Sequence, residues 1–156
     1  MTMEPEGVAP TNKIKVTVVA NPPGTNPKTM FSLTWKNEND PHDPDKKGDI
    51  DLPPLSGSCQ ITFHLDDKSG LRLNFAPTPQ EAMYVSIGSC EDKPGNGGQI
   101  IFDQVDLTRK TLRVADSNCG PPCDLHYQLN FFAADGTRYP YDPIIKNGGG
   151  PSVLFR

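Results

Sequence analysis

The segment DLHYQLNFFA, residues 124–133, sets Leu125, Tyr127, Leu129 and Phe131 at every second position. A two-residue period puts successive side chains on opposite faces of an extended chain, so it fits a strand with one buried face and not a helix. The same period returns in KIKVTVVA (13–20), with Ile14, Val16 and Val18, and in MFSLTWK (30–36), with Phe31, Leu33 and Trp35. Between these runs fall most of the 14 glycines and 17 prolines of the 156-residue chain, which interrupt any long helix. A helical bundle and a coiled coil are excluded on that ground.

Further strands are read at YVSI (84–87), QIIFDQV (99–105) and TLRVAD (111–116). RYPYDPII (138–145) carries two prolines and suits an edge strand. TPQEAMY allows one helical turn at most, around Gln80 to Met83. CQITFHL and LRLNFA flank the polar loop DDKSG and predict a hairpin. Its register sets Leu65 opposite Leu71, Phe63 opposite Leu73, Ile61 opposite Phe75, and His64 beside Arg72. Residues 37–58, with four prolines and five aspartates, are read as irregular.

One connection carries topology. The inward residues of TLRVAD are Leu112 and Val114, whereas those of the next strand are odd-numbered. A tight hairpin between them would oppose apolar and polar side chains, so either a bulge intervenes or SNCGPPC crosses from one sheet to the other, and the crossing is expected. The expected fold is therefore all-β: one antiparallel Greek-key β-sandwich, immunoglobulin-like or cupredoxin-like, of about eight or nine strands. A closed barrel built from the same strands stays open, because alternation alone does not separate the two. The domain is expected to span 1–156, ordered over 13–147, with 1–12 and 148–156 peripheral. Its core should hold the alternating residues named above together with Ile61, Phe63, Leu73 and Phe75.

The formal net charge of −4 and the absence of a basic-aromatic stripe disfavour a nucleic-acid partner. No apolar run is long enough to span a bilayer. The N-terminus lacks a secretory pattern, so a cytoplasmic location is expected, with Cys59, Cys90, Cys119 and Cys123 reduced.

Candidate chemistry is sparse. Asp43, Asp45, Asp49 and Asp51, with Gly48, partly follow a calcium-loop spacing, but Lys47 and Pro54 stand where oxygen ligands belong. Cys123, His126 and His64 offer the two-histidine, one-cysteine set of a copper site. The cysteine precedes its strand, however, and His126 lies on the face opposite Leu125. Cys119 and Cys123 enclose Gly-Pro-Pro and form a disulfide only if Gly120 folds the loop back; paired or free thiols both stay open. Tyr139 and Tyr141, flanking Pro140, are the candidate aromatics for carbohydrate. No Gly-x-Ser-x-Gly elbow and no phosphate cradle occur.

The ending DPIIKN, after a strand and the Asp135-Gly136 turn, resembles that of small bacterial proteins of the DP-EP family. The resemblance implies a cupredoxin-like or immunoglobulin-like sandwich and a bacterial origin. It implies no activity and no site. DLHYQL also resembles the F strand of immunoglobulin domains, with Leu129 where their cysteine stands. The expectation is a non-enzymatic interaction or structural module without cofactor, self-associating through an edge strand. A metal- or carbohydrate-binding sandwich is the alternative.

Overall fold

A computed structural model describes residues 12–24, 30–40, 42–52, 57–87, 100–118 and 123–147. Within them the strands are β1 (Asn12–Ala20), β2 (Phe31–Asn37), β3 (Lys46–Lys47), β4 (Ile50–Leu52), β5 (Cys59–Asp67) and β6 (Asn74–Phe75). After a single helical turn, α1 (Pro79–Ala82), come β7 (Met83–Ile87), β8 (Ile100–Val105), β9 (Thr111–Asp116), β10 (Cys123–Phe132), β11 (Arg138–Tyr141) and β12 (Ile144–Asn147). Twelve strands among the described residues thus exceed the expected count, because the segment 138–145 is divided and two short strands lie in the stretch read as irregular.

The strands form two open sheets. The first runs β3-β2-β1-β5-β9-β8. In the second, β10 is central and β4 lies at an edge beside β12. β11 and β12 continue one register along β10, with Tyr141 opposite Leu129 and Ile144 opposite His126. β7 pairs with the same stretch of β10, which places it on the other flank. Leu125, Tyr127, Leu129 and Phe131 face Ile14, Val16, Val18, Ile61 and Phe63 in one continuous buried core. Every expected core residue is buried except Phe31, which is partly covered.

Three expectations need correction. The sheets are mixed rather than antiparallel: β1 runs parallel to β5, and β12 parallel to β4. The chain between β1 and β5 passes through β4 in the other sheet, and that excursion lets β5 return in the direction of β1. The hairpin at DDKSG does not form, since β5 pairs with β1 and β9 while β6 pairs with β10. His64 consequently sits opposite Thr111, not beside Arg72. The loop itself redirects the chain. The Asp67 carboxylate accepts hydrogen bonds from the Ser69 N–H at 2.9 Å and the Leu73 N–H at 2.8 Å, while Arg72 takes a left-handed φ of 57°. Finally, RYPYDPII is not one edge strand. It breaks at Asp142-Pro143, and its second part lies inside the sheet between β10 and β4.

The expected crossing after TLRVAD is present: β9 belongs to the first sheet and β10 to the second. Residues 1–11 and 148–156 lie outside the described residues. Among the described residues no helix is long and apolar enough to cross a membrane.

Candidate functional site

At one end of the sandwich β1, β2, β3 and β4 enclose a cleft of about 270 Å³. Ile14, Trp35 and Leu52 supply its apolar wall, Asn12 and Asn37 its amides, and Asp40, Asp43 and Asp51 its carboxylates, with Lys46 reaching in. Strand periodicity explains the wall, because these apolar residues occupy inward positions of β1, β2 and β4 at the rim of the core. The polar side is stitched together locally. Asn37 Nδ2 donates to Asn12 Oδ1 at 3.1 Å, and the Asn37 N–H donates to Asp43 Oδ2 at 2.7 Å. Lys46 Nζ donates to Asp43 Oδ1 at 2.5 Å and lies 4.7 Å from the centre of the Trp35 ring. The Lys46 hydrogen bond, then the Asn37 N–H, hold the Asp43 carboxyl below its ordinary value; the charges of Lys46 and Lys36 act in the same direction.

A second feature is the outer edge of the first sheet. β8 pairs only with β9 among the described residues. A bulge between Phe102 and Gln104 interrupts that pairing, and Asp103 there is joined to Arg113 at 2.5 Å. Ile101 is 42 % exposed, and Leu107, in the turn that follows, is fully exposed. They are the exposed large apolar side chains among the described residues.

Of the aspartates read as a calcium loop, two meet in the cleft and two lie apart from them. Asp43 and Asp51 line the cleft, Asp45 is exposed, and Asp49 Oδ1 accepts the Ile144 N–H at 3.3 Å. Among the described residues no three of His, Cys, Asp and Glu are grouped to hold a metal ion. His64 alternates with the buried Phe63 and Leu65 on the first sheet, and His126 with the buried Leu125 and Tyr127 on the second. The two imidazoles therefore project from opposite faces of the sandwich. Burial, followed by the charge of Lys15, lowers the His64 pKa. Cys119 and the side chain of Cys123 lie outside the described residues, and the disulfide expectation with them.

Tyr139 and Tyr141 are partly buried and pack against the core. Tyr141 stacks on Phe31 at 5.2 Å between ring centres, and Phe31 stacks on Phe131 at the same distance. The tyrosines thus close the side of the sandwich. Cys59 is fully buried, and burial pushes its thiol well above the ordinary value, with the Asp116 charge adding to the effect. That suppresses the thiolate a nucleophile needs.

The cleft is hard to see in sequence because four separate strands build it. Leu107 was more legible: it is an apolar residue between Asp106 and Thr108 in a polar turn. No protein-family model matches the chain, and the search of curated proteins returns no match.

Proposed function

We propose that this chain is a non-enzymatic interaction module and that the β8 edge is its contact surface, with a second copy of the chain as partner. The observation that carries the reading is the placement of Ile101 and Leu107 on one edge strand and its turn, while the other large apolar side chains described are covered. An edge strand presents backbone N–H and C=O groups that another copy of the same strand satisfies. Antiparallel pairing about a two-fold axis brings like residues close, and the Arg113 partner of Asp103 offsets the repulsion that two aspartates would create there. The immunoglobulin-like or cupredoxin-like assignment and the DP-EP resemblance belong to the same reading, and the two-sheet arrangement supports them. Sedimentation velocity across a hundredfold concentration range tests it. The wild type should shift from monomer to dimer, and Ile101→Lys should stay monomeric. A wild type that remains monomeric throughout overturns the proposal.

A further inference from the structure

We propose that the cleft between β1, β2, β3 and β4 is an ammonium-binding site whose resident occupant is Lys46. Three features carry this, and none depends on the β8 edge. The first is the setting of Lys46 itself. Its ammonium lies over the face of Trp35 at 4.7 Å and against Asp43 at 2.5 Å, which is the pairing of aromatic face and carboxylate that selects an organic cation. The second is charge. The residues lining the cleft include three carboxylates, Asp40, Asp43 and Asp51, and one ammonium, that of Lys46, with the charge of Lys36 also reaching Asp43. Asp51 lines the cleft and is itself exposed to solvent.

The third feature is the exposure of the occupant's side chain. Lys46 belongs to a two-residue strand whose backbone is held to β2 by the pairs Trp35–Lys46 and Thr34–Lys47 and by the Gly48 N–H donating to the Leu33 oxygen at 3.1 Å, so it is the side chain, not the backbone, that is free to leave. Its side chain is 41 % exposed, whereas that of Asp43 is 14 % exposed. The carboxylate also accepts from the Asn37 N–H, whereas the ammonium is carried on a long, flexible stem. An alkylammonium ion can therefore take the place of Lys46 while the receiving groups stay put. Around Asp43 a hard divalent cation would have to displace the same ammonium without gaining the aromatic contact, and it would need further oxygens. The ligand class is a primary alkylammonium, carried by a small amine or by a lysine side chain.

Trp35 is the chain's single tryptophan, so its fluorescence reports the site directly. Titration with n-butylammonium chloride should give a saturable change that sodium chloride at equal ionic strength does not give. Lys46→Ala should bind at least threefold more tightly, because the internal competitor is gone. Asp51→Asn, at an exposed position, should bind at least twofold more weakly. A blocked tripeptide with a central lysine distinguishes the sources: tighter binding than n-butylammonium assigns a peptide ligand, and equal or weaker binding a small amine. Two results overturn the proposal. One is the absence of a saturable response in both wild type and Lys46→Ala, with circular dichroism showing each folded. The other is a stronger response to calcium chloride than to the amine.

Discussion

The Trp35 indole Nε1–H donates a hydrogen bond to the Asp49 main-chain oxygen at 3.1 Å, tying β2 of one sheet to the turn that leads into β4 of the other. The turn is made possible by Gly48, whose φ of 88° lies in the left-handed region that side chains disfavour. Asp49 then fastens the second sheet through its carboxylate and the Ile144 N–H. Trp35→Phe keeps an aromatic ring and removes the donor. It should cost about 1–2 kcal/mol from the lost hydrogen bond and reduced packing. Urea unfolding checks this, and an unchanged midpoint would show that the tie contributes nothing.

Tyr127 is buried among Phe63 and its neighbours, and its hydroxyl has no hydrogen-bond partner among the described residues. Burial raises the hydroxyl pKa well above the ordinary tyrosine value, with Tyr141 and Asp49 adding to it. A buried polar atom left unsatisfied costs about 1–3 kcal/mol, so Tyr127→Phe should be neutral or stabilising. Equilibrium denaturation measures it. A loss above about 1 kcal/mol would mean that the hydroxyl is satisfied.

The Asp43 carboxyl is depressed in the folded chain by Lys46 and the Asn37 N–H. A depressed carboxyl contributes stability above the ordinary aspartate range and loses it as pH falls through the folded value. Asp43→Asn should therefore be less stable than wild type at neutral pH. The gap should narrow below about pH 4 and close under strongly acid conditions. Because the pair is partly exposed, added salt should shrink the gap as well. Urea midpoints measured from pH 7 to pH 2 test this, and a pH-independent gap would contradict it.

Cys59 combines full burial with a raised thiol pKa. Iodoacetamide at pH 8 should leave it unmodified in the native protein and alkylate it in urea. Peptide mass mapping separates it from the other cysteines. Rapid native alkylation would show that β5 opens at this end.

Much of the fold was legible because alternation reports a physical requirement: a strand with one wet face must alternate. β1, β2, β9 and β10 follow that rule, and the sheet crossing after Asp116 follows from the mismatch between even and odd inward positions. Alternation does not name the neighbour. Ile61, Phe63 and Leu65 could face Leu73 and Phe75 either as a hairpin or across a sandwich, and the Asp67 loop selects the second. β3 and β4 were hidden because two- and three-residue strands carry too few side chains to show a period. The cleft was hidden for a related reason. Asp43 and Asp51 were conspicuous, but Trp35 and Lys46 give them meaning only when β2 and β3 lie together.

The role assigned to the β8 edge is tested most directly by amide hydrogen exchange at low and high protein concentration. The amides of residues 101–105 that point away from β9 should exchange quickly in dilute solution and become protected as concentration rises. Those of β1, paired on both sides, should not change. Concentration-dependent protection in β8 that Ile101→Lys abolishes is the expected result. Exchange in β8 that is the same at every concentration would contradict an edge built for a second copy.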